Sequence, residues 1–141
     1  MKKHTYSSFL NIAAIASFFI LSSCGGGNTD TVELPFKKGD ITFDSEINKV
    51  TASKGESLFQ AKCSSCHNFD ADLIGPSLAG VTSRREPHWI MNMMLKPEIM
   101  IKQDPDAVKL FKKYNKVPMV INGGNPTKEE ALTILEYLRD K

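Results

Sequence analysis

Apolar residues recur at helical spacing in four separated stretches of the chain. In the first, Leu58 and Phe59 follow Ser53-Lys54-Gly55-Glu56, which reads as a capping box: Ser53 caps the helix it opens and Glu56 reaches back. A glycine inside a helix costs about 1 kcal/mol relative to alanine. The expected use of Gly55 is therefore close approach of a second backbone, with Phe59 one turn later on the same face. The second stretch starts near Pro87, a favoured first-turn residue, and stops before Pro97; it carries Trp89, Ile90, Met91, Met93, Met94 and Leu95. The third opens with Asp104-Pro105 and ends near Asn115, with Ala107, Val108, Phe111 and Tyr114 on its inner stripe. The fourth starts at Thr127, where Glu130 completes another capping box, and its apolar stripe is Ala131, Ile134, Leu135 and Leu138. Elsewhere the pattern supports at most a short extended piece near Asp40 to Phe43. The expected class is all-α, with about four short helices.

The segments between helices are rich in turn residues. Gly75-Pro76-Ser77-Leu78-Ala79-Gly80 is a bent loop whose backbone can lie close to a flat ligand. Asn122-Gly123-Gly124-Asn125-Pro126 is another loop. The N-terminus reads differently. Lys2 and Lys3 precede an apolar run from Phe9 to Leu21, and Leu21-Ser22-Ser23-Cys24 follows. This resembles a bacterial lipoprotein signal over residues 1–23, whose cleavage frees Cys24 for lipid attachment. The run is short for a membrane span, which takes about 20 apolar residues. Residues 24–52, beginning Gly25-Gly26-Gly27, are expected to form a flexible tether with an r.m.s. reach of about 30 Å. Residues 53–141 are then the folded domain.

Composition narrows the function classes. The chain has 141 residues, one small domain plus extras, and a net charge of +2. Without Lys2 and Lys3 it holds 16 basic and 16 acidic residues, so nucleic acid is not an implied partner. The lysines that remain are not evenly spread. Lys109, Lys112, Lys113 and Lys116 share the outer stripe of the third helix, either as an ordinary solvated face or as a docking patch for an acidic redox partner.

The densest chemistry is Cys63-Ser64-Ser65-Cys66-His67. Two thiols two residues apart, followed at once by an imidazole, are what covalent haem attachment requires. The thiols add to the two vinyl groups, and the histidine becomes the proximal iron ligand. A zinc site would need two further ligands, and the other histidines are only His4 and His88. A thioredoxin-like pair would follow a strand, which is missing from the pattern before Cys63. A disulfide across so short a span is strained. With Cys24 assigned to lipid, all three cysteines are accounted for.

These features together resemble the small single-haem class I c-type cytochromes, lipoprotein-anchored in this case. The likeness covers roughly Thr51 to Asp140 and rests on Gly55, Phe59 and the Cys63–His67 motif, the Gly75-Pro76-Ser77-Leu78 loop, an isolated Met119, and a closing helix with Ile134 and Tyr137. The resemblance implies a helical fold wrapped around one covalent haem c. It implies His67 and Met119 as axial ligands, with the Pro76 carbonyl accepting the other ring N–H of His67. Arg84 and Trp89 match positions that contact a haem propionate, and Gly55 with Phe59 would cross Ile134 and Tyr137. The motif departs from the family's usual order at one place, since Pro118 precedes Met119 and Val120 follows it. Met100 and His88 remain the competing ligands.

The function implied is a one-electron shuttle between a respiratory donor and a terminal oxidase or reductase. It would be held outside a bacterial cytoplasmic membrane by the lipid on Cys24, facing the periplasm, without a small-molecule substrate. Two other readings stay open: a haem peroxidase or gas sensor with a labile sixth ligand, and a dedicated haem subunit of a larger oxidoreductase.

Overall fold

The computed structural model describes residues 32–141; the signal segment and Cys24 lie outside them. Among the described residues the chain forms six helices: α1 (Lys49–Lys62), α2 (Val81–Arg84), α3 (Pro87–Leu95), α4 (Pro97–Gln103), α5 (Pro105–Lys113) and α6 (Lys128–Arg139), and no strand. The short extended piece near Asp40 to Phe43 is therefore irregular backbone.

Local chemistry sets the helix ends. α1 starts at Lys49 rather than Ser53, because the side chain of Asn48 accepts the Thr51 N–H at 3.0 Å and nothing between them breaks the helix. Glu56 is consequently not a capping residue and lies 3.5 Å from the Tyr137 hydroxyl. α5 is capped by Asp104, whose carboxylate accepts the N–H groups of Asp106 and Ala107. α6 has the full capping box between Thr127 and Glu130. α4 escaped the sequence pattern because Pro97 looks like the end of α3, yet the same ring serves as the first residue of a new helix. α2 is a single turn entered through Gly80 at φ 59°.

The packing is organised by the crossing of α1 on α6. A Cβ on Gly55 would overlap the Thr133 carbonyl and come 2.8 Å from the Cβ of Tyr137, so this glycine sets how closely the helices approach. Phe59 lies beneath it, with ring centroids 5.2 Å from Phe69 and 5.5 Å from Tyr137. Ile90, Met91 and Met94 of α3 join the same core as Ile134, Leu135 and Leu138 of α6.

The segment expected to be a free tether up to residue 52 is not free over its last part. Phe36 is buried in the core, and Ile41 and Phe43 pack against it. The amide of buried Asn92 grips the Phe36 backbone twice, accepting its N–H at 3.1 Å and donating to its carbonyl at 2.9 Å. Arg139 stacks on the Phe43 ring, 4.3 Å from its centroid, and donates to the Asp44 carbonyl. Burying one phenylalanine contributes about 1.5–3 kcal/mol, enough to offset the ordering of about one or two residues, and the bonds to Asn92 and Arg139 add to it. A single apolar residue in irregular chain has no periodicity by which sequence could reveal it. Among the described residues no helix is long and apolar enough to cross a membrane.

Candidate functional site

α1 ends at Cys63, whose N–H still bonds to Phe59, and the chain turns so that the His67 N–H reaches the Cys63 carbonyl at 3.0 Å. The loop that follows is folded back on this turn. Gly75 N–H donates to the Cys66 carbonyl and Leu78 N–H to the Asn68 carbonyl. Gly75 lies flat against the imidazole: a Cβ there would overlap His67 Cε1. Beside it the Pro76 carbonyl lies 2.8 Å from His67 Nδ1. A carbonyl only accepts, so Nδ1 carries a proton, and in the neutral ring the lone pair is then on Nε2, the tautomer that binds a metal through that nitrogen.

His67 borders a cavity with two lobes of about 310 and 350 Å³, a size usual for a cofactor site. Both lobes are also bordered by Cys63, Met93, Leu110, Tyr114 and Met119. Phe59, Leu78, Ile90 and Ile134 make the apolar wall of the first lobe, and Ile74, Phe111 and Ile121 that of the second. Cys63 and Cys66 are free thiols on this wall. Burial pushes the Cys63 thiol up to about 11 against the opposing pull of Lys62, so the unattached thiol is protonated at neutral pH. Met119 sits half-buried in the loop between α5 and α6. The competing ligands do not reach the cavity. Met100 is packed in the core at 1 % exposure, and neither it nor His88 borders either lobe. Met93 of α3 does border both.

The polar rim differs from expectation in one respect. Arg84 borders the first lobe and donates to the Ser77 carbonyl at 3.2 Å. Trp89 also borders it, but its indole N–H donates to Asp104 at 2.9 Å instead of standing free for a propionate. Asp104 caps α5, so this bond ties α3 to α5, and Trp89 borders the cavity with its N–H already taken. Arg85 is half-buried on the same rim. Its guanidinium lies 4.6 Å from the Trp89 ring centroid and 2.5 Å from Asp106. Arg85, and Lys109 more weakly, hold the Asp106 carboxyl below the ordinary carboxylate range. The lysine stripe is half satisfied within the chain: Lys109 reaches Asp106 and Lys113 reaches Asp72, each at 3.5 Å. Lys112 and Lys116 are exposed and form no ion pair among the described residues.

An all-α fold whose first helix delivers a Cys-x-x-Cys-His turn to an apolar cavity defines a covalent haem-binding domain. The cytochrome c family model matches residues 52–140, and the chain belongs to that family. It is 39% identical over 61 residues to a cytochrome c-553-like protein of Synechocystis sp., a match covering 39% of this chain and 58% of that relative. It is 50% identical over 34 residues to cytochrome c2 of Rhodopseudomonas palustris, covering 24% and 29%. The chain thus spans less than two thirds of either relative. Among solved structures, cytochrome c from Rhodothermus marinus superposes with a TM-score of 0.65 at 39% identity, over 71% of this chain and 84% of that one. An engineered form of it bound to a carbene intermediate superposes equally, at 38% identity.

The cofactor of the family is covalent haem c, and the residues present fit it. Two thiols lie on the wall, the imidazole is turned with Nε2 available, and Gly75 leaves its face clear. The remaining wall is largely apolar.

Proposed function

We propose that this protein is an extracytoplasmic one-electron carrier. Cys63 and Cys66 would hold the haem as thioethers, and His67 Nε2 and Met119 Sδ would bind its iron. The observation that carries this reading is the Pro76 carbonyl on His67 Nδ1 beside a cavity that Met119 also borders. When bound, the haem iron supplies a one-electron Fe(II)/Fe(III) couple, with a thioether ligand favouring the reduced state. The chain's own residues do the rest. Pro76 and Gly75 keep the imidazole in one tautomer and one orientation, so little rearranges on electron transfer. The apolar wall excludes water, which disfavours the more highly charged oxidised state. Arg84 places a guanidinium on the rim where a carboxylate of the cofactor can be met, while Arg85 is held by Asp106.

The anchor and the partners belong to the same proposal. Leu21-Ser22-Ser23-Cys24 supports lipid attachment at Cys24 and retention at the outer face of a bacterial membrane, where a respiratory donor and an oxidase or reductase are reached. Lys112 and Lys116, free of internal ion pairs among the described residues, are better placed than Lys109 and Lys113 to meet an acidic partner. Cys24→Ser is expected to release the haem protein from the membrane fraction.

The decisive measurement is a reduced-minus-oxidised spectrum of the exported protein, repeated under carbon monoxide. A reversible c-type spectrum that carbon monoxide leaves unchanged supports the carrier. A prompt Soret shift supports the peroxidase or sensor reading, which is favoured by one observation: residues 118–120 make no hydrogen bond among the described residues. Met119→Ala should lower the potential and open the iron to carbon monoxide. Because Met93 borders the same lobes, the variant is read alone and with Met93→Leu.

A further inference from the structure

α5 gives way to the Met119 segment through two consecutive left-handed residues, Asn115 at φ 56° and Lys116 at φ 58°. The first is an ordinary way to end a helix: the Lys116 N–H reaches back to the Phe111 carbonyl at 2.8 Å, and asparagine tolerates this conformation. The second has no such excuse. Lysine gains nothing in the left-handed region, and such a residue persists only where its surroundings over-determine it.

The surroundings converge on one carboxylate. The Tyr114 hydroxyl donates to Asp72 Oδ2 at 2.7 Å. Lys113 Nζ lies 3.5 Å from the same oxygen and 3.1 Å from the tyrosine hydroxyl. The other oxygen, Oδ1, accepts the Ser77 N–H at 2.9 Å. Ser77 directly follows Pro76, whose carbonyl orients His67. Asp72 therefore joins the loop behind the imidazole to the last residue before the strained turn, five positions ahead of Met119. Asp72, Tyr114 and Met119 all border the first lobe of the cavity. Beyond Tyr114 the next side-chain anchor is Asn122, whose amide donates to Ser65 Oγ at 3.2 Å. Between these two ties the segment is held by its turn, by buried Ile121 near its far end and by what Met119 meets.

We infer that Asp72 and Tyr114 form a latch that positions Met119, setting how firmly this side chain is presented to the cavity without touching the iron themselves. The inference rests on the assignment of Met119 as the sixth ligand. The two bonds on Asp72 act together: the Ser77 N–H places the carboxylate, and the carboxylate places Tyr114. The Asp72 carboxyl is held below the ordinary range first by Ser77 and then by Tyr114, in keeping with both bonds favouring its charged form. The latch is half-exposed to solvent, so its effect is one of degree: it tunes lability and leaves the fold in place.

The test uses the exported, haem-loaded chain and imidazole as the competing ligand. Tyr114→Phe and Asp72→Ala should each raise the rate at which imidazole displaces the native sixth ligand in the ferric protein by about three- to tenfold, the yield of one hydrogen bond. The double variant should show no more than the larger single effect, because either change opens the same latch. Asp72→Asn keeps an oxygen for Ser77 but replaces the acceptor of the tyrosine hydroxyl with a donor, and should fall between wild type and Asp72→Ala. Thermal midpoints measured alongside separate positioning from general destabilisation. Displacement rates unchanged in Tyr114→Phe, or effects that add in the double variant and track the melting temperature, overturn the latch while Met119→Ala still opens the iron. An unaltered spectrum in Met119→Ala overturns the ligand assignment itself, and the latch with it.

Discussion

His67 and Met119 border the same cavity, but the chain supports them in opposite ways. His67 lies where a long helix turns into a loop that folds back on it. Its ring is gripped by the Pro76 carbonyl and backed by Gly75, which has no room for a side chain. Met119 lies in a segment whose neighbours Val117 and Val120 are 48% and 75% exposed, and whose residues 118–120 make no hydrogen bond among those described. The histidine wall is held by direct contacts to the ring itself. The methionine wall depends on ties at its two ends, through Tyr114 and Asn122. Under the proposed ligation, a rigid ligand and an adjustable one would suit an electron carrier, because the fixed ligand preserves geometry while the other sets potential and access.

The contrast can be broken hardest at the base of the histidine wall. In an open helix Gly55→Ala would stabilise by about 1 kcal/mol. Here the new methyl overlaps the Thr133 carbonyl, and overpacking against backbone should win, for a net loss of about 2 kcal/mol in chemical denaturation. Gly75→Ala should cost about 1–3 kcal/mol and, unlike Gly55→Ala, perturb the His67 ring resonances, since its methyl overlaps the imidazole. On the methionine wall the same kind of change should do little. Val120→Ser is expected to alter stability by less than about 0.5 kcal/mol while leaving the His67 resonances in place.

Acid should also distinguish the walls. Asp72 has a folded pKa below its unfolded one, so its contribution is complete above the ordinary carboxylate range and disappears as pH falls below that range through the folded value. The charged group facing it is Lys113, and the neutral Tyr114 hydroxyl donates to the same oxygen. Acidification should therefore speed imidazole exchange at the methionine side before it moves the His67–Pro76 bond, as followed by stopped-flow and by NMR. The smallest expected effect is on partner exchange. Reversing Lys112 and Lys116 should slow electron transfer a few-fold at low salt, and reversing Lys109 and Lys113 should slow it less, because internal carboxylates already hold them.

How much of this could be read in advance follows from the kind of signal each feature carries. Caps announce themselves locally, and Asp104 and Thr127 were legible because one side chain and one turn of backbone suffice. Ser53 misled for the same reason: it satisfies the local pattern, but Asn48 caps the same helix one turn earlier. α4 was hidden because a proline reads as a stop whether or not it also starts the next helix. Trp89 could be placed near the cavity, yet the direction of its N–H depended on Asp104, fifteen residues away.

The sequence by itself determined the chemistry of this protein: thiols and imidazole at fixed spacing, an all-α pattern and a glycine kept for a close approach. These are matters of residue type and short-range order. Tertiary structure alone decided that Phe36 belongs to the core, that Met119 and not Met100 reaches the cavity, that half of the lysine stripe is spent internally, and that Asp72 meets Tyr114. Each of these is a contact between segments far apart in the chain, and no local pattern encodes which partner a solitary side chain will find.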